Sequence, residues 1–205
     1  RFNADGTFTL PAKMIDGDVS LEGIFIDAKT ALTYEVYFNN EFVYSTVVNG
    51  AKTGAVTIPE GLSRDYVELT ADKQTITSLP ATVRITATWT APMKVATPAD
   101  TTWYNLKVSN QPRWVSSGNY TPNVYFIDET YITTDYALWA LTGNPYSGFR
   151  LINKAMGPTM VLASASPKGS AKAGGNTYAT LLPADNLPAG YTSDWTVTIS
   201  PNDDE

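Results

Sequence analysis

A pattern written twice limits what this chain can fold into more than any other feature. Leu106-Lys107-Val108-Ser109-Asn110 and Phe149-Arg150-Leu151-Ile152-Asn153 both read apolar, basic, apolar, any residue, Asn. An apolar pair follows each Asn, Trp114-Val115 in the first case and Val161-Leu162 in the second. Each unit then closes on a tryptophan, in Trp139-Ala140-Leu141-Thr142 and in Trp195-Thr196-Val197-Thr198. Self-similarity of this kind points to one small β-unit used at least twice.

The rest of the chain is read in the same period. Thr82 to Trp89 alternates strictly, with Val83, Ile85, Ala87 and Trp89 on one face and Thr82, Arg84, Thr86 and Thr88 on the other. That is the signature of an antiparallel strand buried on one side. Leu32 to Phe38 is β-branched and aromatic, Asn39-Asn40 reads as a two-residue hairpin turn, and Phe42 to Val48 reads as the returning strand. Further short strands are expected at Thr7–Leu10, Val19–Asp27, Ala55–Ile58, Tyr66–Thr70 and Gln74–Thr77, with turns at Asp16-Gly17-Asp18 and Asn49-Gly50. No stretch carries a 3.6-residue period. The proline-containing run from 91 to 102 places a boundary near 98. Residues 1–97 are therefore expected to form an immunoglobulin-like β-sandwich, and 98–205 a second all-β unit in which Ala163 to Asn176, rich in Ala, Ser, Gly and Lys, is a loop.

Composition removes several functions. The net charge is −6 with no Lys/Arg cluster, so a nucleic-acid partner is not expected, nor an anionic membrane surface. No apolar run reaches the ~20 residues of a membrane-spanning helix. The 205 residues include no Cys and no His. A Ser-His-Asp triad, a cysteine nucleophile and His- or thiolate-bound metals are therefore unavailable. No cofactor and no metal is expected. The opening Arg1-Phe2-Asn3 has neither Met nor an apolar leader, which reads as a mature protein or a piece of a longer one.

The second unit has a recognisable likeness. A strand ending in Asn, a Gly turn, an apolar pair and a closing Trp resemble the lobes of a ricin-type β-trefoil. More specifically, Trp103-Tyr104-Asn105-Leu106-Lys107, Leu138-Trp139-Ala140-Leu141 and Gly143 to Ala155 resemble a module of large secreted proteins of gut bacteria, which often carry glycoside hydrolase or peptidase domains. In such proteins a sandwich ending in an apolar-Pro-apolar segment often precedes the module, and Ala91-Pro92-Met93-Lys94-Val95 fits that place. The resemblance implies a secreted or bacterial cell-surface location, glycans as ligands and other domains of a longer polypeptide as partners. Two departures stand against it. A trefoil has three lobes and two are visible, so the module reads as incomplete. Sugar-binding members carry an Asp after the apolar pair and a Gln two residues before the closing Trp; Ser116 and Ala163, and Ala137 and Ser193, occupy those places here.

Four residues are singled out as a carbohydrate-binding set: Trp114, Tyr125, Asp128 and Tyr146. Aromatic rings stack on the apolar face of a pyranose and carboxylates accept from its hydroxyls. Trp114 follows the turn-like Pro112-Arg113; Tyr125 and Asp128 belong to an aromatic stretch with Phe126, Glu129 and Tyr131; Tyr146 sits in an Asn-Pro-Tyr-Ser-Gly turn where exposure is expected. The plain readings remain beside these: Asp128-Glu129 as a solvated turn, Trp114 as a core residue, Tyr146 as a turn residue packing on its neighbour. Trp139 and Trp195 are read as core. As a glycosidase pair Asp128 and Glu129 are poor, because adjacent residues of a strand point to opposite faces. Asp16-Gly17-Asp18 and Asp203-Asp204-Glu205 lack calcium-loop spacing, and Gly174-Gly175 is not followed by a phosphate-loop Lys-Ser/Thr. The chain is thus expected to be a non-catalytic accessory segment that binds carbohydrate or positions its neighbours. The alternatives are a spacer or protein-interaction module, and a carboxylate-dependent glycosidase.

Overall fold

A computed structural model describes residues 26–108, 111–118, 121–165 and 179–198. The expected strand at Thr7–Leu10, most of that at Val19–Asp27, the Asp16-Gly17-Asp18 turn, Asn110, most of the Ala163–Asn176 loop and the acidic end Asp203-Asp204-Glu205 lie outside the described residues. What is described is all-β, with single turns of 3-10 helix at Glu60–Leu62, Glu129–Tyr131 and Asp135–Ala137.

The first half holds β1 (Leu32–Phe38), β2 (Glu41–Val48), β3 (Gly54–Ala55), β4 (Val67–Ala71), β5 (Thr75–Ile76) and β6 (Ala81–Trp89). Asn39 and Asn40 both take positive φ, at 50° and 65°, which is the twist a two-residue β1–β2 turn needs. The four-stranded sheet runs β2-β1-β6-β4, and β3 pairs with β5 apart from it. The alternation of β6 is realised: Val83, Ile85 and Ala87 are buried and Thr82, Arg84, Thr86 and Thr88 exposed. Its pairing is mixed, antiparallel to β4 but parallel to β1, because the chain leaves and re-enters the sheet between them. Leu32, Tyr34, Val36 and Phe38 of β1 meet the buried face of β6, with Leu62 and Ile76 closing the core.

The second half holds β7 (Tyr104–Lys107), β8 (Trp114–Gly118), β9 (Thr121–Ile127), β10 (Leu138–Asn144), β11 (Gly148–Asn153), β12 (Gly157–Ala165), β13 (Ala179–Pro183) and β14 (Tyr191–Thr192). Their order is β11-β10-β7-β8-β9-β13-β12, and β12 pairs back to β11, closing seven strands into a barrel. β14 joins β12 at Ser164 and Ala165, beyond the point where β11 leaves it. The expected loop from Ala163 is corrected here: Ala163 to Ala165 continue β12, because their backbone is taken up by β13 and β14.

The two written-out units have matching anchors. Trp139, fully buried, donates its indole N–H to the Val115 carbonyl at 2.8 Å. Trp195 donates to the Leu162 carbonyl at 2.8 Å. In each unit the closing tryptophan thus bonds the second residue of the apolar pair. Trp139 lies on β10, whereas Trp195 is held by an isolated bridge to Phe149, with N–O distances of 2.7 and 3.0 Å. Asn153 is fully buried and spends its amide on the Tyr136 and Leu138 carbonyls at 2.8 and 3.2 Å, while its oxygen accepts from the Ser117 hydroxyl at 2.9 Å. Asn105 holds the same segment too, donating to the Ile132 and Ala137 carbonyls at 2.8 and 3.1 Å.

The halves are packed together. Val95 bridges to Leu141, Ala96 N donates to the Leu141 carbonyl at 2.7 Å, and Lys94 N donates to the Tyr104 hydroxyl at 2.9 Å. The rings of Trp89 and Phe149 lie 4.8 Å apart.

Candidate functional site: an aromatic face on the barrel

Register decides which side chains share a surface, since residues opposite one another in an antiparallel pair point the same way. Lys107 is opposite Trp114, Trp114 opposite Ile127, and Ser116 opposite Tyr125. Lys107, Trp114, Ile127 and Tyr125 therefore lie on one face of β7–β8–β9. The intervening residues Leu106, Val115 and Val124 pack on the barrel core around Trp139, Leu162 and Leu181. Trp114 and Tyr125 are diagonal neighbours on the outward face, a spacing of about 7–8 Å between such positions.

Trp114 is half-buried and Tyr125 is 49% exposed. The Lys107 ammonium stands 5.9 Å from the centroid of the Trp114 ring. Asn123 donates to the Tyr125 hydroxyl at 3.3 Å, orienting the phenol along the strand. At the end of the hairpin Arg113 and Asp128 form a 2.7 Å ion pair, both largely in solvent. Glu129 begins the 3-10 turn that carries Tyr131, which is 60% exposed, and Phe126 beside them is 62% exposed. Among the described residues the exposed large aromatics of the second half all lie on or just after β9, but Phe126, opposite Val115, points to the other side of the strand from Tyr125.

Of the four expected residues, Trp114 and Tyr125 share a face, and Asp128 follows Ile127 at the end of the same strand pair, where it is bonded to Arg113. The fourth stands apart. Tyr146 was expected to be an exposed turn residue; it is half-buried between the halves. Its hydroxyl donates to the Leu62 carbonyl at 2.9 Å, its ring stacks on Tyr44 at 5.8 Å, and the Arg64 guanidinium lies 5.0 Å above it. Burial pushes its pKa above the ordinary tyrosine value, with Arg64 opposing the shift. The turn itself is an Asx turn: Asn144 Oδ1 accepts from the N–H groups of Tyr146 and Ser147, each at 2.9 Å. A turn signal says that the backbone reverses; it does not say what stands above the turn, and here the first half does.

Asp128 is committed to Arg113 and sits beside Glu129, so the two do not face each other across a cleft. Among the described residues no three Asp or Glu side chains gather as a metal-binding group, and no helix is long and apolar enough to cross a membrane.

Sequence reading missed a concavity elsewhere on the barrel. A cleft of about 640 Å³ opens between Arg150 of β11 and the segment from Ala184 to Asp194. The signals were present, a Pro188-Ala189-Gly190 turn and an Asp immediately before the closing Trp, but nothing local joins residue 150 to residue 194.

Compared with known protein families, curated proteins and solved structures, the chain matches no family model, no curated protein and no solved structure.

Proposed function

We propose that this chain is a non-catalytic accessory segment of a secreted or surface bacterial protein, an immunoglobulin-like sandwich followed by a two-lobed trefoil-like module, and that it binds carbohydrate on its aromatic face. The observation that carries the reading is the placement of Trp114 and Tyr125 on one outward face, with the Arg113–Asp128 pair at its end. A ring pair offers a stacking platform, and charged groups at its rim supply donors and acceptors to hydroxyls. The module assignment is supported by the equivalent tryptophan bonds to Val115 and Leu162. The half-exposed platform fits weak binding, in which a longer polypeptide gains affinity from several such segments.

The test is a titration of the chain with host and plant glycans, followed by tryptophan fluorescence and repeated with Trp114→Ala and Tyr125→Ala. Saturable quenching that disappears in both variants is expected. Failure of every glycan to perturb the wild-type protein would sink the reading.

A second reading, a rigid positioning module without a small ligand, draws on the tether formed by Tyr146, Tyr44 and Leu62 and on the Trp89–Phe149 contact. Two halves joined in this way hold a fixed angle between whatever precedes and follows them. The same titration separates the two.

A further inference from the structure

The cleft beside β11 has the makings of a site of its own. Arg150 and Asp194 stand at it with Nε and Oδ1 3.7 Å apart. That is too long for a charge-assisted hydrogen bond, which closes to about 2.7–2.9 Å, and which the Arg113–Asp128 and Lys154–Asp135 pairs achieve at 2.7 and 2.8 Å. Arg150 and Asp194 thus form an open, half-exposed ion pair with no direct hydrogen bond between them, and both can turn to a ligand in the cleft. Both are held on bonded backbone. Arg150 follows Phe149 in β11, and Asp194 precedes Trp195, whose backbone exchanges two hydrogen bonds with Phe149. The Asp194 side chain is seated against Gly148, where any Cβ would lie 3.0 Å from its own. The opposite wall, Leu187 to Tyr191, is a tight turn closed by Tyr191 N donating to the Pro188 carbonyl at 3.1 Å, with Gly190 at a φ of +83°. That wall is apolar. Ser193 also borders the cleft, while its hydroxyl is buried beneath the surface without a hydrogen-bond partner.

We propose that this cleft binds a neutral polyhydroxylated ligand of mono- to disaccharide size through a pair of adjacent hydroxyls, one accepting from Arg150 and the other donating to Asp194. Opposite charges at one rim leave little net field, so neither an anion nor a cation is drawn in by charge, while the adjacent hydroxyls of a neutral diol, each able to donate and accept, satisfy both groups at once. The apolar wall of Leu187 and Pro188 takes the C–H face of the ring. The volume lies within the range of small-ligand pockets, roughly 300–1,000 Å³. The inference rests on the carbohydrate reading for its ligand class, and on this cleft alone for its place.

The experiment is calorimetric titration of the whole chain with glucose, galactose, mannose, xylose, cellobiose, maltose and lactose, with glucuronic acid and glucosamine as charged controls. Wild type, Arg150→Gln, Asp194→Asn and Trp114→Ala are compared after matching their thermal unfolding. The same saccharides are added to nitrogen-15-labelled wild-type chain and amide shifts recorded, so that the outcome does not depend on a variant folding. Expected are shifts at 148–150 and 187–195, an affinity loss of about tenfold or more in each cleft variant, as for hydrogen bonds to charged groups, and weaker binding of both charged controls. Binding that survives both cleft variants, is lost in Trp114→Ala and shifts amides at 114–127 overturns the cleft and leaves the aromatic face standing. Absence of any saccharide-dependent shift in the wild-type chain overturns both.

Discussion

The hydroxyl of Tyr146 donates to the carbonyl oxygen of Leu62 at 2.9 Å, tying a hairpin turn of the barrel to a 3-10 turn of the first half. Leu62 is itself 1% exposed and belongs to the core of that half, so the bond reaches the core's edge rather than a loose loop. Tyr146→Phe keeps the ring on Tyr44 and removes only the bond; it is expected to cost about 0.5–1.5 kcal/mol. Tyr146→Ala also removes the stack and the Arg64 contact and is expected to cost more. Urea denaturation followed separately through aromatic signals of each half checks this. If Tyr146→Ala leaves the midpoint unchanged, the tether contributes nothing.

The same tyrosine gives the protein an alkaline limit. The pKa values of Tyr34 and Tyr146 are raised above 10.0 by burial. In the unfolded chain both groups lose their protons near the ordinary value, while the folded chain holds them longer. Their contribution is therefore fully present below pH 10 and is lost as pH rises through the folded values. Stability is expected to fall on the alkaline side of pH 10. Tyr34 donates to the Thr57 carbonyl at 2.8 Å, so Tyr34→Phe loses that bond at every pH but should flatten the alkaline decline. Denaturation midpoints across pH 8–12 in wild type and both Phe variants decide it.

The two tryptophan anchors should differ in weight. Trp139 is fully buried in the barrel core, whereas Trp195 is half-buried and packs against its margin. Trp139→Ala is expected to cost about 3–5 kcal/mol, and Trp195→Ala less. Trp139→Phe leaves the Val115 carbonyl without its indole donor and is expected to cost about 1–3 kcal/mol. Equal losses in the two alanine variants would contradict this ranking, as read by chemical denaturation.

Asn153 makes four bonds from a fully buried position, to the Tyr136 and Leu138 carbonyls, the Ser117 hydroxyl and the Ala155 N–H. Asn153→Ala strands several buried groups at once, each worth about 1–3 kcal/mol, and is expected to leave little or no folded barrel by near-ultraviolet circular dichroism. Asn153→Asp tests the direction of the bonds: a carboxylate cannot donate to the two carbonyls.

Strands were legible where one sequence pattern met one buried face. β6 runs as its alternation says and β1 as its β-branched and aromatic composition says, and Asn39-Asn40 turns as its residues say. Trp139 was legible as core because everything around it is apolar. Pairings between distant segments were not. The period of β6 does not reveal that its neighbour β1 runs parallel to it. Tyr146 carries every mark of an exposed turn, and its burial depends on residues 44, 62 and 64, which no local pattern connects to it. Trp114, Tyr125 and Asp128 were legible as residue types; that the two rings share a face follows from the Ser116–Tyr125 register, which a shift of one residue would reverse. Arg150 and Asp194 meet only because Phe149 and Trp195 bridge.

Closing seven strands into a barrel has a consequence for how the chain behaves in company. Each strand of the barrel has a neighbour on both sides, so the barrel offers little template for polymerisation. The first half is built differently. Among the described residues β2 pairs with β1 alone, and it carries exposed Phe42, Tyr44, Val47 and Val48 with no Lys or Pro to blunt it. Among the described residues, then, the border open to a second copy lies on the sheet, and the barrel presents a sealed wall.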